Sequence, residues 1–175
     1  MSQQEYVFKL IDISKSFPGV QALKQVSLNV RAGSVHALVG ENGAGKSTLM
    51  KCLFGIYKRD SGVILHNGKE VNYSSTLDAI KDGVSMIHQE LYPEPHLNVQ
   101  ENVWLGRLPI KYGIVDYKKM NKDTKDLFTT LKIDLDPKAL VRTLSVSKIQ
   151  SIEIAKAVSH NADVIIMDEP TSSLN

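Results

Sequence analysis

The sequence predicts an α/β fold: a mostly parallel core sheet, antiparallel strands near the N-terminus, and an inserted helical subdomain. Three observations predict it. Val35-His36-Ala37-Leu38-Val39 is an apolar run short enough for a buried strand. It gives way at Gly40 to a glycine-rich turn and then to helix formers, with Leu49, Met50, Leu53 and Phe54 at helical spacing. Val164-Ile165-Ile166-Met167 is a second continuous apolar run, the pattern of a parallel strand covered on both faces. Between them, from about residue 93 to 160, the periodicity is mostly helical.

The elements follow in order. Residues 6–13 and 22–30 alternate apolar and polar side chains, with Val26, Leu28 and Val30 on one face, and Phe17-Pro18-Gly19 turns between them. After the first helix, residues 61–65 and 69–73 flank Asn67-Gly68, a strong hairpin signal. A short helix at 77–80 precedes the apolar strand 84–88, which ends at Gln89. Pro93 and Pro95 mark a loop over 91–97. Asn98-Val99-Gln100-Glu101 reads as a capping-box start for a helix through Leu105. Asp116 opens another, with Met120, Leu127, Phe128 and Leu131 on one stripe. Asp136-Pro137 has the form of a helix entry. A last helix over 147–158 turns Ile149, Ile152 and Ala155 inward, with Ile154 or Val158.

The totals bound the function classes. A chain of 175 residues holds one well-cored domain with a subdomain, and 42% hydrophobic content is ordinary for a soluble globular protein. A net charge of +2 with interspersed signs argues neither for nucleic acid nor for an anionic membrane surface, so a membrane role is expected to come through a partner. Cys52 stands alone inside a helix, which reads as a core thiol and suits the cytoplasm. The five histidines show no zinc-ligand spacing with it.

Gly40, Glu41, Asn42, Gly43, Ala44, Gly45, Lys46, Ser47 and Thr48 fill the phosphate-binding pattern G-x-x-x-x-G-K-[ST] in the context it requires, strand then loop then helix. Polyphosphate needs a cup of inward-pointing backbone N–H groups, and glycines let the chain wrap closely. The helix starting near Lys46 aims the positive end of its dipole into that cup. Lys46 reaches phosphate oxygens, and the Ser47 hydroxyl completes a Mg²⁺ shell. The fold expected is that of a P-loop nucleoside triphosphatase. Asp168 and Glu169 end the second apolar run, where carboxylates need a partner or a metal. Asp168 holds Mg²⁺ opposite Ser47, and Glu169 is the candidate base for an attacking water. Gln89 signifies little by itself. Phe17 can stack on a base or cover the sheet edge, two comparable readings.

Taken in order, these residues resemble the ATP-binding-cassette ATPases over essentially the whole chain. Phe17 sits at the adenine-stacking position and Gln89 at the glutamine loop. Leu144-Ser145-Val146-Ser147-Lys148 stands at the signature, and Ser172-Ser173-Leu174-Asn175 follows the acidic strand. Within that family, Ser14-Lys15-Ser16-Phe17-Pro18-Gly19-Val20 and Ile87-His88-Gln89-Glu90-Leu91 are similar to the first cassette of bacterial monosaccharide importer subunits. The galactose and methyl-galactoside branch is nearest, through Lys51-Cys52-Leu53-Phe54-Gly55-Ile56-Tyr57 and Ile152-Glu153-Ile154-Ala155-Lys156-Ala157. The resemblance implies a core over 1–91 and 161–175 and a signature-bearing helical subdomain over 92–160. It implies ATP and Mg²⁺ as ligands, with Ser47, Gln89 and Asp168 on the metal and Glu169, Gln89 and Lys46 in catalysis.

Two departures qualify it. The family signature is L-S-G-G-Q, whereas Val146, Ser147 and Lys148 stand here, so the cap offered to a partner cassette is expected to be poor. The chain also stops at Asn175, before a histidine switch or a second cassette, so it reads as a fragment. The partners implied are a second cassette, C-terminal in the same longer chain, transmembrane permease subunits and, indirectly, a periplasmic or extracellular sugar-binding protein, with no nucleic acid. The expected place is the cytoplasmic face of the bacterial inner membrane. The alternatives are a soluble cassette ATPase without a membrane partner and a nucleotide-binding fragment without turnover of its own.

Overall fold

The computed structural model describes residues 5–88 and 93–168. The chain divides into two compact units, Met1–Asp82 and Gly83–Asn175.

In the first unit, β1 (Tyr6–Phe17) pairs antiparallel with β2 (Val20–Arg31) and with β3 (Ser61–His66), which pairs with β4 (Lys69–Val71). The order is β2-β1-β3-β4. The alternation along β1 buries Phe8 and Leu10, then skips a residue to bury Ile13. That skip is a bulge, visible as a register shift between Leu10 and Ile13, with Asp12 at φ 51°. The extra residue keeps Ile13 on the core face despite the broken period. Ser27 Oγ accepts the Asp12 N–H at 2.9 Å, and Ser14 Oγ accepts that of Gln25, so displaced backbone groups stay paired. The β3–β4 turn has φ 48° at Asn67 and 74° at Gly68, as an Asn-Gly hairpin requires. Helix α1 (Lys46–Leu53) buries Leu49, Cys52 and Leu53, and burial pushes the Cys52 thiol pKa up. Helix α2 (Thr76–Lys81) is capped by Ser75, which accepts the Asp78 N–H.

One expected strand is absent. Residues 35–39 form no strand, and Val35 and Val39 are exposed. A parallel strand draws its hydrogen bonds from neighbours, and no described strand pairs with this run, so its side chains stay in solvent.

In the second unit, β5 (Val84–Ile87) and β8 (Val164–Met167) pair in parallel. Coverage of β8 is less than expected: Ile166 is buried, but Met167 is half exposed. Three helices, α3 (Val99–Val103), α4 (Tyr117–Leu131) and α5 (Val146–Val158), lie between these strands in sequence. They share a core of Val99, Val103, Phe128, Val141, Ile152 and Ala155. The capping box of α3 is reciprocal: Asn98 Oδ1 accepts the Glu101 N–H and Glu101 Oε2 accepts the Asn98 N–H. Asp136-Pro137 opens a turn, not a helix. The carbonyls of Pro137 and Ala139 instead accept the N–H groups of Gln100 and Val99, so this segment caps α3 with its own backbone. Between α3 and α4 lies a short hairpin that residue patterning did not reveal, β6 (Ile110–Lys111) and β7 (Ile114–Val115). Among the described residues, no helix is long and apolar enough to cross a membrane.

Candidate functional site

The glycine-rich loop sits in the first unit, and its geometry follows from two glycines and one lysine. Gly45 has φ 90° and turns the chain into α1. A Cβ there would lie 2.6 Å from the Ala22 carbonyl oxygen and 2.9 Å from Leu23 Cδ2. Glycine is therefore required twice, by conformation and by the close approach to β2. Gly43, at φ 80°, has open space around it and is required by conformation alone. Gly40 is less constrained: a Cβ would be in ordinary contact with Ala44 Cβ at 3.5 Å. Glu41, Asn42, Gly43 and Ala44 are exposed, and Ala44 N–H donates to the Glu41 carbonyl at 3.2 Å. The Lys46 ammonium folds back over this loop, donating to the carbonyls of Gly40 at 2.7 Å and Glu41 at 2.9 Å. The first turn of α1, from Lys46 through Ser47 and Thr48, holds no acidic residue and has no side-chain cap, so its own chain does not neutralise the positive helix end.

Phe17 is the last residue of β1 and pairs with Val20 across the turn. The same hairpin supplies Ala22 and Leu23, which lie against Gly45. The Phe17 ring meets Tyr57 edge-on with centroids 5.2 Å apart, and the Lys15 ammonium lies 5.5 Å from its centre. Lys15 also bonds Asp60 at 2.9 Å, and this bond, with the Ser16 N–H, holds the Asp60 carboxyl below its usual range. Tyr57 escaped sequence reasoning because nothing in its spacing singles it out.

In the second unit, Asp168 directly follows β8, and its N–H donates to the Ile87 carbonyl at 3.1 Å. The parallel register Ile87↔Met167 thus continues one step past the strand. Gln89 and Glu169 lie outside the described residues, as do Ser172, Ser173, Leu174 and Asn175. At the signature, Leu144 packs against the helical core while Ser145 is the N-cap residue of α5. Ser145 forms no cap bond to its own helix; its hydroxyl lies 3.1 Å from that of Ser147. Val146, Ser147 and Lys148 are exposed. The Mg²⁺ ligands expected from the sequence are divided: Ser47 lies in the first unit, Asp168 in the second, and Gln89 outside the described residues. No three His, Cys, Asp or Glu side chains among the described residues could hold a metal together.

A glycine-rich loop at the head of a helix and a parallel strand followed by an acidic residue are features of the P-loop nucleoside triphosphatase fold, and the comparisons agree on that fold. The ABC transporter family model matches residues 23–172, and the chain belongs to that family. It is 59% identical over 178 residues to the galactose/methyl galactoside import ATP-binding protein MglA of Clostridium tetani, covering 99% of this chain and 35% of that protein. It is 58% identical over 173 residues to the protein of the same name from Escherichia coli K12, covering 99% of this chain and 34% of that one. A solved ATP-binding cassette of an ABC transporter superposes with a TM-score of 0.84 at 26% identity, covering 97% of this chain and 71% of that one. The chain spans about a third of the length of the curated relatives it matches.

Proposed function

We propose that this chain is the ATP-binding cassette of a membrane sugar importer, carrying galactose, methyl galactoside or a related monosaccharide. In this reading residues 40–48 hold the phosphates of ATP, Phe17 stacks on the adenine, and Ser47, Gln89 and Asp168 hold Mg²⁺. Lys46 neutralises phosphate charge and Glu169 orients the attacking water, so catalysis is positioning and charge stabilisation. A second cassette, in a longer form of the same chain, closes over the nucleotide with its own signature. The segment Leu144, Ser145, Val146, Ser147 and Lys148 caps the partner's nucleotide poorly, because side chains at 146 and 147 crowd a backbone that must approach phosphate. The helical region 92–160 and Gln89 pass motion to permease subunits at the cytoplasmic face, and the sugar arrives through a separate binding protein.

The observation that carries this reading is the Lys46 ammonium set on the Gly40 and Glu41 carbonyls at the uncapped head of α1. A cation held at the mouth of a loop of left-handed glycines is placed to exchange those carbonyls for phosphate oxygens. The sugar assignment rests on the names of the relatives. The test is the melting temperature of the chain with and without Mg-ATP. Nucleotide at about a hundred times its dissociation constant adds ~2.7 kcal/mol to a folded state that binds it. A shift present in the wild type and lost in Lys46→Ala supports the site, and a shift retained in Lys46→Ala overturns it.

A further inference from the structure

Phe17 lies where β1 gives way to a turn: it is the last residue of the strand, and Pro18, Gly19 and Val20 after it are exposed. A half-buried ring at such a place has several rotamers open to it unless a neighbour selects one. Two neighbours meet it here. The Tyr57 ring crosses that of Phe17 at 75° with centroids 5.2 Å apart, and the Lys15 ammonium lies 5.5 Å from the Phe17 centre. Edge-on pairs at this spacing attract beyond the area they bury, and they attract at a preferred angle.

Both neighbours are themselves held. Asp60 accepts the Lys15 ammonium at 2.9 Å and the Ser16 N–H at 2.6 Å, and its own N–H donates to the Ser14 carbonyl at 2.9 Å. The segment that carries Tyr57 is thus fastened to the last residues of β1. On its other side, the Tyr57 N–H donates to the Lys51 carbonyl at 3.1 Å, and the Lys51 ammonium lies 5.8 Å from the Tyr57 ring centre. Lys51 belongs to the last turn of α1, the helix that starts at the glycine-rich loop. Tyr57 therefore ties the Phe17 ring to the same helix that heads the candidate phosphate site, all within the first unit. The contacts that fix Tyr57 are made by its ring and its backbone.

We infer that Tyr57 is a positioning residue for the nucleotide base, holding the Phe17 ring in one plane before adenine arrives. The inference rests on the reading that residues 40–48 bind phosphate and that Phe17 stacks on the adenine. A ligand that has to order its own stacking partner loses affinity, about three- to tenfold for one side chain. The test is calorimetric titration with Mg-ATP and with Mg-tripolyphosphate, which offers the phosphates without a base. Phe17→Ala is expected to weaken ATP about tenfold or more and to leave tripolyphosphate unchanged. Tyr57→Leu is expected to weaken ATP about three- to tenfold, again with tripolyphosphate unchanged, and Tyr57→Phe to keep the wild-type affinity for both. The NMR signals of the Phe17 ring are expected to move in Tyr57→Leu and to hold their place in Tyr57→Phe. Unchanged ATP affinity in Tyr57→Leu, equal weakening of both ligands, or failure of Tyr57→Phe to behave as the wild type overturns the inference and leaves the nucleotide site standing. Unchanged ATP affinity in Phe17→Ala removes the adenine stack and the inference with it. A wild-type chain that binds neither ligand overturns the nucleotide reading itself, and the role of Tyr57 falls with it.

Discussion

The Nζ of Lys46 lies 2.7 Å from the carbonyl oxygen of Gly40, six residues back along the same loop. A flexible side chain at an exposed site gives little net stability from two such bonds, because water competes for both partners. Lys46→Met is therefore expected to change the stability of the nucleotide-free chain by less than about 1 kcal/mol in urea unfolding. A larger loss would show that the lysine props the loop open instead of waiting for a phosphate.

The loop's two left-handed glycines separate conformation from packing. Gly43→Ala carries the strain of a side chain at positive φ, about 1–2 kcal/mol. Gly45→Ala carries the same strain and also drives a Cβ into the Ala22 carbonyl and Leu23, for about 3 kcal/mol or more in all. Denaturant midpoints of the two variants decide it. Equal losses would mean that the approach of Gly45 to β2 is not tight in solution.

Asp82 is expected to contribute to acid sensitivity. Its carboxylate meets His66 Nδ1 at 2.7 Å and accepts the Tyr73 hydroxyl, while the His66 ring stacks on Phe8 at 4.4 Å. Desolvation raises the Asp82 pKa, but the His66 and Tyr73 hydrogen bonds outweigh it, and the net direction is down. A depressed folded pKa means stability that is present above the usual aspartate range and lost as pH falls through the folded value. Asp60 and Asp78 are shifted the same way, so all three add to the acid limb. Asp82→Asn is expected to lower stability at neutral pH and to flatten the decline between about pH 5 and 3. An unchanged acid limb would remove Asp82 from its cause.

Turnover gives a separate test of the acidic strand end. In the two-cassette protein proposed above, Glu169→Gln is expected to bind ATP as the wild type does and to stall hydrolysis, because the amide cannot take a proton from water. Steady-state phosphate release measured beside nucleotide affinity separates the two steps. Unchanged release would take Glu169 out of its proposed role.

The limits of legibility follow the range of the forces involved. Local chemistry was readable: the Asn98–Glu101 box, the Asp116 cap and the Asn67-Gly68 turn all depend on residues a few positions apart. The start of α1 at Lys46 was equally plain, because a glycine-rich turn followed by helix formers leaves the chain few other choices. Pairing was less readable. An apolar run such as 35–39 becomes a strand only where neighbours supply its ladder, and sequence period carries no record of them. Asp136-Pro137 has the composition of a helix start, yet the carbonyls of Pro137 and Ala139 are drawn to the N–H groups of α3, a competition between segments nearly forty residues apart. The Asp12 bulge hides for a related reason: an extra residue in β1 breaks the period of two at the place where the core still demands Ile13. At the candidate site the residue types were legible, and the folding of Lys46 onto the loop carbonyls was not.

Arg107 offers the last test, on a contact that no motif announces. Its guanidinium donates to the Ser159 carbonyl at 3.0 Å and to Ser159 Oγ at 2.7 Å, and stacks 5.2 Å from the Trp104 ring. Ser159 is the residue that ends α5, so a side chain just beyond α3 closes the far end of the signature-bearing helix. No carboxylate pairs with it among the described ion pairs, and burial lowers its pKa. The contact is therefore directional, made by the planar fork and the negative end of a helix dipole, with the ring as a shelf. Arg107→Ala is expected to cost about 1.5–3 kcal/mol, the range for hydrogen bonds to a charged group. Arg107→Lys keeps the charge and loses the fork, so it is expected to recover less than half of that. Urea unfolding of both variants, with amide exchange at the end of α5, reads the outcome. Full recovery by lysine would show that charge at the helix end suffices and that the fork contributes nothing.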